Sequence, residues 1–177
     1  DHDVKKAMDS GGVFDWLLKQ RKAGKFQFLG ISGHHKPAEF VPLLESGEVD
    51  VVLAVINFVD RHTYNFEEQV LPVARKHNAG IVAMKVFGGA SKSAGWYENP
   101  KAPPELDVAH LEKAVRYSLN VPGVTTVNLG VHNQDQLRQN VELVRNYQPL
   151  SADEQAALAD LGKDLAPKWG AHFGPVA

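Results

Sequence analysis

Val51 to Ile56 (VVLAVI) is an unbroken apolar run in an otherwise mixed sequence. A strand of this composition has no polar face to offer water, so it belongs in a sheet covered on both sides. Ile81 to Phe87 (IVAMKVF) has nearly the same character, and Gln27 to Ile31 (QFLGI) and Val124 to Leu129 (VTTVNL) read as two further strands. Between these runs the apolar residues fall at helical spacing. Buried strands separated by single helices imply an α/β fold with a parallel sheet and right-handed crossovers.

The helices carry their own boundary signals. Val13, Phe14, Leu17 and Leu18 share one helical face, closed by Ala23-Gly24. Pro37 suits a first helical turn ahead of Phe40, Leu43 and Leu44. Asn65 and Glu68 are spaced as a capping pair before Phe66, Val70 and Ala74, with Pro72 predicting a late start or a kink. Val108, Leu111 and Val115 mark another helix. Asn133 with Gln136 caps one that uses Leu137, Val141 and Val144, and Ser151 with Glu154 caps one that uses Leu158, Leu161 and Leu165. Gly88 to Glu105 is one long Gly- and Pro-rich loop, of a length that is usually functional or mobile. From Pro167 the tail reads as irregular, with Trp169 and His172 expected on the outside. Four parallel strands make either a small open sheet or half of an eight-stranded barrel, and periodicity leaves both open.

Composition excludes several classes. The 177 residues suffice for one domain with a core. A formal charge of −2 without a basic run gives no reason to expect nucleic acid or an acidic membrane surface. No apolar stretch reaches the roughly 18 residues of a membrane helix. With no cysteine, disulfides, thiol nucleophiles and Cys-based metal sites are excluded. The chain starts Asp1-His2-Asp3 without an initiator methionine, as expected if something was removed or if it is a piece of a longer chain.

Three segments carry a family resemblance. AGKFQFLGISGHHKP (Ala23 to Pro37) resembles the fifth-strand segment of the aldo-keto reductases, and VLPVARKHNAGIVAMKVFGG (Val70 to Gly89) the approach to their seventh strand. VPGVTTVNLGVHNQDQLRQN (Val121 to Asn140) resembles the eighth strand and its continuation, and PLSADE the entry to the last helix. The resemblance implies that residues 1–177 form a single partial domain. It would be the C-terminal half, strands 5 to 8, of a (β/α)8 TIM barrel, with a long loop about 88–106 and a C-terminal helix and tail about 151–177. Sites in such barrels lie at the C-terminal ends of the strands.

The same resemblance implies a nicotinamide cofactor, NADP or NAD, and a cytoplasmic protein. Ser32 matches a serine that hydrogen-bonds the carboxamide; it also suits capping of the Pro37 helix. Leu53 stands nearest a glutamine that relatives use for the same amide. Asn57 matches a common asparagine just downstream, and equally fits a turn. Lys85, placed on one strand face with Ala83 and Phe87, is expected to pair with the cofactor pyrophosphate or with a carboxylate nearby. Gly88 and Gly89 let backbone amides approach those phosphates. Met84 stands near the position of an aromatic that relatives stack on the nicotinamide. Gln136, Gln139 and Asn140 match residues at the adenosine end, and also suit a solvated helix surface. Gly130 and Val131 are uncharged where users of NADP often carry basic residues, so the choice of nucleotide stays open.

Family chemistry uses a tyrosine, a lysine and an aspartate from strand–helix units without counterpart here, and a histidine for which His2 is the candidate, His2-Asp3-Val4 resembling the end of the fourth strand. None of Tyr64, Tyr97, Tyr117 or Tyr147 has the context of the catalytic tyrosine. The expectation is an oxidoreductase half-barrel that acts on a small-molecule carbonyl substrate in the intact parent and is inactive alone. Two other roles fit the same residues. One is a cofactor-binding regulatory subunit. The other is a self-associating half-barrel, a homodimer covering two open sheet edges. His34-His35 with His2 and Asp3 is a weak metal candidate, and Trp96-Tyr97 suits either a cover over the site or a surface anchor.

Overall fold

The structure, a computed structural model, describes every residue except Asp1 and Pro100, and every side chain except those two and His2, Asp3 and Tyr97. Strands β1 (Gly30–Gly33), β2 (Val51–Val55), β3 (Gly80–Met84) and β4 (Val124–Val127) pair in parallel in that order. Helices α1 (His2–Met8) and α2 (Val13–Lys22) precede them. Helix α3 (Phe40–Glu45) follows β1, α4 (Phe66–Gln69) and α5 (Leu71–Lys76) follow β2, and α6 (Leu111–Asn120) follows β3. Helices α7 (Gln134–Arg145) and α8 (Ala152–Trp169) close the chain. Four consecutive strand–helix units with neighbouring strands in sequence order are half of a (β/α)8 barrel.

Most element boundaries follow local chemistry. Pro72 sits in the first turn of α5, and the predicted kink is a break at Val70 between two short helices. Asn65 and Glu68 do pair, but side chain to side chain at 2.9 Å, because Asn65 itself is left-handed (φ 53). Ser151 and Glu154 form the reciprocal capping box. The Glu154 carboxylate also takes both guanidinium nitrogens of Arg116, at 2.7 and 2.9 Å, and those bonds pull its pKa down to about 2. Helix α8 runs through Pro167 to Trp169 before Gly170 ends it, three residues beyond the expected stop.

Three expectations need correction. The first strand begins at Gly30, not Gln27: the Asp50 carboxylate takes the Leu29 amide at 2.7 Å, so Leu29 joins the ladder only through its carbonyl, which accepts from Val51 at 3.2 Å. The third ends at Met84, since Lys85 turns left-handed (φ 55), so Lys85 does not share a strand face with Ala83. Leu137, Val141 and Val144 were expected on a buried face of α7, yet all three are exposed.

The core lies between the sheet and its outer helices. Val52, Ala54, Ile81 and Ala83 point into it and meet Leu44, Leu71 and Val115, none more than 1% exposed. The alternate row, Ser32, Leu53, Val82 and Thr126 in register, belongs to the other face, where Ser32 and Thr126 are exposed. Apolar surface is also open at both ends of the sheet. Val13, Trp16 and Phe28 (72% exposed) lie on the segments leading into β1, and the α7 stripe follows β4. No helix of the described residues is long and apolar enough to cross a membrane.

Candidate functional site

The segments leaving the four strands all emerge at one end of the sheet, and a cavity of about 400 Å³ opens there. His34 enters it from beyond β1, Met84 and Lys85 from the end of β3, and Asn128 to His132 from beyond β4. The base of the long loop supplies another wall. Ser91 donates to Pro103, Glu105 to Gly89 and Leu106 to Phe87, an antiparallel closure that fixes Gly89, Ala90 and Pro104 at the cavity. Trp96 lies farther along this loop with Lys92 5.2 Å over its ring, and does not line the cavity.

Of the residues read from sequence, the structure brings Lys85, Gln136, Gln139 and Asn140 to this one cavity. Asn133 accepts from the Gln136 backbone at 2.9 Å, while the Gln136 carboxamide accepts from the His132 amide at 2.7 Å. These two bonds cap the start of α7 and set its first turns against the cavity. Asn140, one turn on, is buried and donates to Gly130 at 3.4 Å. The left-handed Lys85 is held by its own carbonyl, which accepts from Gly88 at 2.7 Å and from Asn57 at 2.9 Å. Such a backbone persists where neighbours over-determine it.

Two residues have other duties. Asn57 is 1% exposed; its amide nitrogen donates to Asp60 and Lys85, and its oxygen accepts from Val59 and Asp60. All four hydrogen-bonding positions are used, so Asn57 is a turn residue with nothing left for a ligand. Gly88 does not line the cavity. Its amide is committed to Lys85, and a Cβ there would lie 2.6 Å from the Trp169 ring, so the glycine makes room for Trp169. Gly89 is the one of the pair that borders the cavity.

Ser32 is exposed on the open sheet face, outside the cavity lining, and does not cap the Pro37 turn, whose N-cap is Lys36. The His2 side chain, the candidate catalytic histidine, lies outside the described residues; its backbone begins α1. Among the described residues no group of three metal-ligating side chains gathers. Tyr64 is fully buried and Tyr117 bonds Glu67 at 2.7 Å, so neither hydroxyl stands in the cavity.

The C-terminal tail is the part sequence reasoning missed. It folds over the strand ends instead of packing outside. His172, buried, contacts Asp60 at 2.9 Å, and the Tyr64 hydroxyl accepts from the Phe173 amide at 2.8 Å and donates to the Gly174 carbonyl at 3.1 Å. The one local signal was the Asn57–Asp60 spacing, which suits a turn closed by side chains.

No family model matches the chain, and no curated protein matches it. Among solved structures, the aldo-keto reductase AKR11C1 from Bacillus halodurans, in its holo form, matches 83% of this chain with a TM-score of 0.60 and 19% identity. The match covers 54% of that protein, so the chain spans about half the length of the structure it resembles. A likeness at this identity establishes the fold: half of the α/β barrel found in an aldo-keto reductase.

Proposed function

We propose that the chain forms the cofactor-holding half of an aldo-keto reductase-like oxidoreductase, in which NADPH or NADH reduces an aldehyde or ketone. The observation that carries this reading is the meeting of Lys85, Gly89, Gln136, Gln139 and Asn140 around one cavity at the strand ends. The donor set fits the group. Lys85 offers a cation for a diphosphate, Gly89 (φ 77) a backbone free of side-chain bulk beside it, and the three amides an uncharged polar end for a nucleoside. Met84, Phe87 and Val131 add apolar wall, and the volume lies within the roughly 300–1,000 Å³ of small-molecule sites.

When bound, the cofactor supplies a hydride. The chain's own residues bind and orient it: Lys85 fixes the charged centre, and α7 fixes one end. A proton donor for the carbonyl oxygen must stand within hydrogen-bond reach of it. Tyr64 and Tyr117 are occupied elsewhere. We therefore assign that donor to strand–helix units beyond these four, and expect the 177-residue chain to hold cofactor without turnover.

The test is a titration of NADPH and NADH, followed by their fluorescence, on the chain and on Lys85→Ala. A charge-assisted contact contributes about 1.5–3 kcal/mol, so the variant should bind roughly 10- to 100-fold more weakly. Equal affinity in the two proteins, or no binding to the wild type, would sink the proposal.

A further inference from the structure

Four rings stand in series across the strand ends. Trp169 and His172 have centroids 5.3 Å apart, His172 and Phe173 3.9 Å, and Phe173 and His34 5.4 Å with their planes 29° apart. Tyr64 flanks Phe173 at 6.0 Å, and the Lys85 ammonium lies 5.8 Å from the Phe173 centroid. The first three rings belong to α8 and the tail. They are fixed by the Asp60–His172 contact and by the two bonds of Tyr64 to the Phe173 and Gly174 backbone. His34 is the last ring of the series, and the only one of the four that lines the cavity.

We propose that His34, held flat by Phe173, is a stacking platform for the ring at the β1 end of the cavity. On the reading above, from which this follows, that ring is the nicotinamide. Position carries the assignment. His34 follows β1, Lys85 follows β3, and Gln136, Gln139 and Asn140 follow β4, so platform, cation and amide cluster come in that order along the sheet. A dinucleotide presents ring, diphosphate and nucleoside in the same order. The imidazole suits stacking because its neutral form is favoured: its partial removal from water lowers its pKa, and the nearby charges of Lys85 and His35 lower it further. Phe173 is then a positioning residue that acts through His34, and the tail becomes part of the cofactor site.

Binding of NADH and NADPH is compared with that of ADP-ribose and its 2′-phosphate, which keep the diphosphate and adenosine but lack the nicotinamide. The proteins are wild type, His34→Ala, His34→Phe and Phe173→Ala. Loss of a stacked ring partner weakens binding on the order of tenfold. His34→Ala is expected to show that loss with the dinucleotides alone, His34→Phe to recover it, and Phe173→Ala to show a smaller loss of the same kind. Unchanged dinucleotide affinity in His34→Ala, or an equal loss for ADP-ribose, overturns the platform and leaves the cofactor reading standing. A wild type that binds none of the four overturns both.

Discussion

Asp60 is 1% exposed and holds Asn57 on one carboxylate oxygen, at 2.7 Å, and His172 on the other, at 2.9 Å. A buried polar group left without its partner costs about 1–3 kcal/mol, and Asp60→Ala strands two of them. The substitution should destabilise the chain by roughly 2–4 kcal/mol, read as a lower urea midpoint at unchanged slope; a midpoint that does not move would mean the network is not holding the tail. The same network explains what was legible at this scale. Lys85, Gln136 and Asn140 were readable because a cation at the end of an apolar strand run and a polar row at a helix start are local patterns. For Asn57 the choice between cofactor contact and turn residue was not readable, because one of its four hydrogen bonds goes to residue 85, which spacing along the chain does not reveal.

Elements set by neighbours in sequence were readable to within a residue or two. The run Val51 to Ile56 is β2 plus one residue, and Ser151 with Glu154 does start α8. Elements set by long-range bonds were not. The start of β1 depends on Asp50, and the course of the tail on contacts between residues about 110 apart. Gly162 belongs to the second kind. It reads as a weak spot in an amphipathic helix, but a Cβ there would stand 1.9 Å from the Phe58 carbonyl oxygen, a backbone atom of the loop after β2. In an exposed helix Gly→Ala stabilises by about 1 kcal/mol. Here Gly162→Ala should destabilise by about 1–3 kcal/mol, because α8 must lift off that loop. A rise in the thermal midpoint would show that the close approach is not real.

At the largest scale, the described residues form four strand–helix units, half of an eight-unit barrel plan. Its inner sheet face is half covered, and apolar surface is open at both ends of the sheet, with Trp16 and Phe28 toward β1 and Leu137, Val141 and Val144 beyond β4. Those are the places where the other four units of a barrel pack, and sequence periodicity, blind to how many strands close a sheet, could not separate this plan from a small open sheet. The cavity is nonetheless assembled within the chain, from His34, the β3 end, the base of the long loop and the start of α7. Amide hydrogen exchange of the chain with and without saturating NADPH tests the central claim most directly. The account predicts slowed exchange confined to the segment around His34, to residues 85–90 and 128–140, and to the tail around Phe173. Protection elsewhere, or none at a concentration that saturates binding, would contradict it.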